Sequence, residues 1–316
     1  MAATIFTLAH LSDVHLGPLP RFPLRYWTTK RALGYLNWHR ARKSGHVRSV
    51  LDRLVGDLKL QRPDHIALTG DLVNIGLPGE YTAAQQWLAE LGSPSDVTVV
   101  PGNHDIYTHL PDDPGHRRWA PYLLPNPAGA AYSPSGLDSF PFVRCFGAVA
   151  LIGLNSAIPT RPFYAGGRLG TDQLRAAAKI LETLGARGFR RIVLIHHPPL
   201  PGLASPKKAL EDAAALADIL KAQGADFVLH GHNHRRMITA LNGPRELVRV
   251  IGVPSASLGR HHKGEDLARY HLFRFRRDGG PTEMVARGLR EPHGAVVEIE
   301  RLTWQPGLHE DNTRLA

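Results

Sequence analysis

A single cysteine, Cys145, in a chain of 316 residues leaves no partner for an internal disulfide and rules out a thiolate-rich metal site. Any bound metal must be held by nitrogen and oxygen donors, and 18 histidines are at hand. No apolar run reaches the length of a membrane span, and Met1 to His10 has neither the basic start nor the apolar core of a secretory signal. A cytoplasmic location is the expectation. Internal repeats and low-complexity linkers are missing too, so neither a solenoid nor tethered modules are expected.

Acid is absent from one long stretch. Between Gly17 and Arg48 there is no Asp or Glu, while Arg21, Arg25, Lys30, Arg31, Arg40, Arg42, Lys43 and Arg48 occur, interleaved with Phe22, Tyr26, Trp27, Tyr35 and Trp38. Such an insert can lie peripherally on an acidic membrane surface, stack on nucleic acid, or cap a pocket for a phosphorylated substrate. A helical hairpin with packed aromatics and solvated charges accounts for it equally well. Across the chain, 38 Lys and Arg against 28 Asp and Glu give a formal net charge of +10, which implies an anionic partner without choosing one.

With 43% apolar residues the chain can bury a large core. The expected organisation is one domain over residues 1–303, with the basic aromatic insert at 17–48 and a tail at 304–316. Short β-branched runs over Thr4–Leu11, His65–Thr69 and Val97–Val100 read as strands, and His46–Leu60 and Glu80–Leu91 have helical spacing. That order predicts parallel strands joined by right-handed crossovers. Thr108–Ser139 reads as a surface excursion, and Phe142–Leu154 as a hairpin around Gly147 that begins a second sheet. Beyond it, helices are expected over Thr171–Leu184, capped by Thr171-Asp172, and over Lys207–Gln223. Arg191–Ile195, Asp226–Leu229, Met237–Leu241, Leu247–Val253, Arg269–Phe275 and Ala295–Leu302 read as strands.

The polar residues of interest fall where apolar runs end. Asp13 and His15 follow the first strand, two apart on an extended exit, so that they face the same way. Asp71 follows Gly70 after the second, and Asn103, His104 and Asp105 follow Pro101-Gly102 after the third. His196 and His197 precede Pro198-Pro199, which stiffen that loop. His232 and His234 are again two apart and able to face one centre. A lone histidine of this kind is usually a satisfied core residue; several at successive strand ends, with Asp and Asn, are not. Asp13, His15, Asp71, Asn103, His196, His232 and His234 are too many for one tetrahedral ion and suit two ions that share a carboxylate. Such a pair can clamp a phosphoryl group and generate hydroxide near neutral pH.

Asp13-Val14-His15, Gly70-Asp71, Gly102-Asn103-His104-Asp105, the His196 strand end and Gly231-His232-Asn233-His234 stand in the order of the calcineurin-like metallophosphoesterases, and the chain resembles that family over residues 4–234. The resemblance implies an α/β fold, a four-layer αββα sandwich of two mixed β-sheets flanked by helices. It implies two divalent or mixed-valence metal ions, of Fe, Mn, Zn or Co, with Asp13, His15 and His234 on one, Asn103, His196 and His232 on the other, and Asp71 bridging. It implies His104 as the catalytic histidine, with Asn74, Asp105 and His197 behind it or lining the substrate pocket. Asn74 stands where some members carry aspartate. Its amide oxygen can accept a hydrogen bond but cannot support an imidazolium, which favours good leaving groups.

The loops look most like the branch of cyclic-nucleotide and glycerophosphodiester phosphodiesterases. Hydrolysis of a small phosphodiester by a metal-bridging hydroxide is therefore the leading expectation. A nuclease or lipid-precursor phosphoesterase using the insert is the alternative, and a metal-free protein-interaction scaffold is the alternative of another class.

Overall fold

Ile5–Leu11 (β1), His65–Leu68 (β2) and Val97–Val99 (β3) are the short apolar runs of the sequence, and in the computed structural model of the chain they pair in parallel. The structure describes residues 5–21, 23–110, 112–134, 140–262, 264–276 and 279–305. Strands covered on both faces need no polar alternation, which is why these runs are mainly apolar, with Thr7, His10, His65 and Thr98 as the polar exceptions.

Thr29–Asn37 (α1) belongs to the basic insert, and Arg48–Leu60 (α2) and Pro78–Leu91 (α3) are the crossovers between the first three strands. The crossover expected from His46 begins at Arg48, because Val47 stays extended and donates its N–H to the Ser257 carbonyl at 2.9 Å. Pro78 opens α3 two residues ahead of the expected start, where its missing N–H costs nothing. Glu80 accepts the Leu77 N–H at 3.0 Å and so satisfies one of that helix's orphan donors.

Phe142–Phe146 (β4) and Val149–Gly153 (β5) form the hairpin around Gly147. Thr171–Ala186 (α4), Arg190–Leu194 (β6), Ala213–Gln223 (α5), Phe227–His230 (β7), Met237–Asn242 (β8) and Leu247–Gly252 (β9) follow. The expected Thr171-Asp172 cap is not made. Gly170 precedes α4, and the Asp212 carboxylate takes the Leu169 and Gly170 N–H groups instead. Asp212 is thereby held outside α5, which starts six residues later than its sequence reads.

Arg269–Arg276 (β10), Thr282–Leu289 (β11) and Val296–Trp304 (β12) complete the described strands. β11 has no counterpart in the sequence reading. The expected tail begins too early at 304: Trp304 is buried at the end of β12 with its ring 5.4 Å from that of Phe227, while 306–316 lie outside the described residues. Phe22 of the insert and 135–139 of the surface excursion lie outside them too.

Among the described residues the strands form two six-stranded sheets, in the orders β12-β11-β10-β1-β2-β3 and β4-β5-β6-β7-β9-β8. Both are mixed: β1, β2 and β3 run parallel beside an antiparallel meander, and β5, β6, β7 and β9 run parallel between antiparallel edges. Phe6 and Leu8 of β1 face Phe142, Leu151, Leu194 and Phe273 in the layer between the sheets, while Ala9 and Leu11 turn outward onto α2 and α3. Helices α4 and α5 cover the outer face of the second sheet. The result is an αββα sandwich in which the C-terminal ends of β1, β2, β3, β6 and β7 meet at one edge.

The insert is helical from Thr29 onward, and a few of its side chains anchor it to the sandwich while most of its surface is open to solvent. Trp38 and Arg31 are buried, and Tyr26 and Tyr35 rest on Ile75, Leu77 and Tyr107. Trp27 and Leu24 are exposed.

Candidate metal centre

Five loops deliver the side chains, and the backbone laces them together. The Asp13 N–H bonds the Gly70 carbonyl and the His15 N–H the Asp71 carbonyl, each at 3.0 Å, and the Gly231 N–H bonds the His196 carbonyl at 3.1 Å. The expected extended exit after β1 is not what makes Asp13 and His15 converge. Both lie in the left-handed region, with φ of 54° and 41°, as do Asp71 (56°), His232 (71°) and His234 (54°). Such backbone costs of order 1–3 kcal/mol per residue, and it gathers at sites where function needs it. Gly102 and Gly231 permit the approach, since a Cβ on either would overlap the side chain of Asp71 or Asp13.

Two triads result, one of Asp13, His15 and His234 and one of Asp71, His196 and His232, each with ligand atoms within 4.8 Å of one another. In the first, His234 Nε2 lies 3.1 Å from Asp13 Oδ1 and 3.3 Å from His15 Nε2. In the second, His196 Nε2 lies 3.1 Å from Asn103 Oδ1, 3.2 Å from His232 Nδ1 and 3.4 Å from Asp71 Oδ2. His232 and His234, which their spacing allowed to face one centre, are divided between the two. Asp71 Oδ2 is also 3.8 Å from His15 Nε2 and thus stands between the triads.

The outward nitrogens fix what the inward ones can be. His15 Nδ1 faces the Val73 carbonyl at 3.2 Å, His196 Nδ1 the Thr69 carbonyl at 2.6 Å, and His232 Nε2 the Lys208 carbonyl at 3.0 Å. A nitrogen facing a carbonyl carries the proton, so each neutral ring turns a bare lone pair inward. Lone pairs of adjacent imidazoles and carboxylates repel unless a proton or cation lies between them. The donor set therefore fits a pair of divalent ions.

Electrostatics say the same. Burial acts to raise Asp13 and Asp71, yet the facing His234 and His196 imidazoles hold both carboxyls below the usual range. Burial likewise opposes charge on His196 and His234, but Asp71 and Asp13 raise both to about 9. His15 and His232 are lowered, by burial first and then by Arg42 and His197 respectively. Two protons shared with two carboxylates are what such a site holds when it has no other cation.

The residues expected behind the ligands have separate tasks. Asp105 accepts backbone N–H groups from Asp71, Leu72 and Gly102 at 2.8–2.9 Å. His197 bonds Ser156 Oγ (2.8 Å) and the Ala165 carbonyl (3.1 Å), and its ring backs the second triad, 4.5 Å from that of His232 and 5.1 Å from that of His196. His104 turns Nδ1 to the carbonyl of Asn74, not to its amide. The Asn74 side chain donates to the Leu16 carbonyl at 2.8 Å, so the expected amide-to-imidazole bond is replaced by a backbone one. Burial, then Arg42, lowers His104 to about 3.

Four neighbours have roles at the site that the sequence did not assign. Glu80 accepts the Asn74 and Leu77 N–H groups and shapes the turn that presents the Asn74 carbonyl. Ser255 donates to the Asp13 carbonyl at 2.6 Å. His46 lies 4.6 Å from the His15 ring, and Arg42 Nη1 lies 3.3 Å from His104 Nδ1. A Pro two residues before Glu80 was a usable helix-start signal, and the acid-free insert marked Arg42 only as one among its basic residues; nothing local tied His46 to the site.

The model of the family described as calcineurin-like phosphoesterase matches residues 6–236. A probable cyclic nucleotide phosphodiesterase of Synechococcus is 27% identical over 260 residues, covering 81% of this chain and 82% of its own. The glycerophosphodiester phosphodiesterase GpdQ of Enterobacter lignolyticus is 28% identical over 240 residues, 73% of this chain and 72% of its own. Among solved structures, a dimetal phosphatase from Danio rerio superposes with a TM-score of 0.62 at 15% identity, covering 95% of this chain and 98% of that one. Purple acid phosphatase PPD1 from yellow lupin seeds gives 0.58 at 12%, over 96% of this chain and 54% of that one. At those identities the two structures speak for the fold.

Proposed function

This chain belongs to the calcineurin-like phosphoesterase family, and on that premise we propose that it is a metal-dependent phosphodiesterase acting on a small diester of the cyclic-nucleotide or glycerophosphodiester kind. The observation that carries the proposal is Asp71 Oδ2 standing between His196 Nε2 (3.4 Å) and His15 Nε2 (3.8 Å), with a donor triad on either side. Asp13, His15 and His234 would hold one ion and Asn103, His196 and His232 the other, with Asp71 shared. Nitrogen and oxygen donors of this kind suit Fe, Mn, Zn or Co. When bound, a divalent pair supplies Lewis acidity at the phosphoryl oxygens and a water acidified for attack.

The chain's own part is positioning and proton transfer. Asp71 Oδ1 takes the His104 N–H at 2.7 Å, which fixes the imidazole's backbone to the bridging carboxylate. With Nδ1–H committed to the Asn74 carbonyl, Nε2 is the atom of His104 left to meet a leaving oxygen. Burial and Arg42 disfavour its imidazolium, and a carbonyl offsets that charge less than a carboxylate would. His104 is thus a reluctant proton donor, best matched to leaving groups of low basicity. A cytoplasmic location, in keeping with the lone cysteine, is part of the proposal; among the described residues no helix is long and apolar enough to cross a membrane.

A second reading, a lipid-derived diester, draws on the exposure of Leu24, Trp27 and Leu36 on the basic insert and of Phe163 across the cavity from it. Metal-reconstituted protein assayed on cyclic nucleotides, glycerophosphodiesters, phospholipid precursors, nucleic acids and monoesters separates the readings. Failure to bind a divalent ion, or turnover of monoesters alone, overturns the phosphodiesterase.

A further inference from the structure

Beside His104 lies a cavity of about 450 Å³ walled on one side by the insert (Lys30, Leu36, Arg40, Arg42) and on the other by Phe163 and Tyr164. Lys30 ties the walls together, its ammonium donating to the Tyr107 carbonyl at 2.8 Å and to Thr160 Oγ1 at 2.9 Å. Among the described residues no carboxylate lines this space, so the two arginines face it without a built-in counter-ion.

Arg42 is placed oddly for a structural residue. Its Nη1 lies 3.3 Å from His104 Nδ1, yet that nitrogen already gives its proton to the Asn74 carbonyl. Two donors therefore face each other, and the guanidinium's acceptor has to come from elsewhere. Phe163 is equally out of place. It has φ of 67° and is 78% exposed, a strained backbone that holds a bare aromatic ring at the cavity mouth.

We propose that Arg42 is a substrate-binding residue whose guanidinium takes a non-bridging phosphoryl oxygen beside His104, and that the adjoining cavity, with Phe163 at its mouth, takes an apolar or aromatic substituent of the same diester. The proposal rests on the phosphodiesterase reading and narrows it to diesters with one bulky substituent. Arginine's planar fork matches a phosphoryl edge in a way that an ammonium does not, so Arg42→Lys restores little.

The test begins with inorganic phosphate titrated into the metal-loaded protein. Arg42→Ala should weaken its binding about ten-fold or more, with Arg42→Lys recovering only part, while metal content and melting temperature match the parent. Equal phosphate affinity in parent and Arg42→Ala overturns the assignment. Turnover of bis(4-nitrophenyl) phosphate is then compared with that of glycerophosphoethanolamine. Phe163→Ala should shift the ratio of the two kcat/KM values about five-fold or more against the aryl diester, chiefly through KM. Equal losses on both overturn the role of the cavity. A parent protein that turns over neither of these diesters nor a cyclic nucleotide refutes the phosphodiesterase reading, and the phosphate titration still decides the case of Arg42.

Discussion

Asp105 and Asp71 hold each other's loops: Asp105 Oδ2 accepts the Asp71 backbone N–H at 2.8 Å, while Asp71 Oδ1 accepts the N–H of His104, next to Asp105, at 2.7 Å. The bridging ligand and the candidate catalytic histidine are thus set by one reciprocal arrangement. Burial and the charge of Asp71 push the Asp105 carboxyl up to about 7.

Asp105→Ala orphans the N–H groups of Asp71, Leu72 and Gly102 in a dry site. The expected loss is about 3–5 kcal/mol of stability together with weaker metal binding, because the Asp71 loop is no longer fixed. Thermal unfolding and metal analysis of the purified variant check it. A parent-like melt with full metal content refutes this role for Asp105.

Asp71→Asn keeps the shape and removes the charge shared by both triads, and His196→Ala removes a donor from one. Both variants are expected to lose hydrolysis by about a thousand-fold or more and to carry less metal than the parent. Elemental analysis alongside diester turnover provides the comparison. Full metal in Asp71→Asn would mean that the aspartate does not bridge.

His104→Ala, by contrast, is expected to keep its metal and lose turnover, by about a hundred- to ten-thousand-fold in kcat. The loss should be larger for an alkyl leaving group than for nitrophenolate, since only the former needs a proton. Equal losses on the two substrates would remove His104 from proton transfer.

Much of this site could be read in the chain because each ligand follows a short, mainly apolar run, and Gly or Pro lies at or close to most of the exits. Apolar runs of three to seven residues in a parallel sheet leave little freedom over where their ends lie. What could not be read was how the ends turn. The left-handed backbone at Asp13, His15, Asp71, His232 and His234 is uncommon even for Asp and His, which tolerate it better than most side chains, and bonds between the loops hold it. The insert was legible as basic and aromatic, but which side chains reach the site depended on the turn of helix after Asn37, where Arg42 comes round to His104. β11 was missed for a plainer reason: Thr282–Leu289 mixes Glu, Arg and Gly with its apolar residues and takes its place by pairing with β10 and β12.

The last prediction concerns acid. His65 on β2 is buried, with Nε2 against Thr98 Oγ1 at 2.6 Å and its ring 4.3 Å from that of Phe146, and burial, then Arg144, lowers it to about 3. Its ordinary value is 6.5. Between these limits the unfolded chain binds a proton that the folded chain refuses, so stability is full above about pH 6.5 and drains away as pH falls toward 3, at about 1.4 kcal/mol per pH unit. His271 on β10, also held near 3 by burial and then by Arg269, adds a second contribution of the same sign. Urea unfolding of the metal-free protein at pH 7, 6, 5 and 4 should show stability falling through this window. His65→Leu should lessen that fall by about one proton's worth, 1.4 kcal/mol per unit. Other titrating groups act on both proteins alike, so the difference between the two curves isolates His65. Parallel curves for parent and variant would show that His65 takes up its proton without unfolding the sheet.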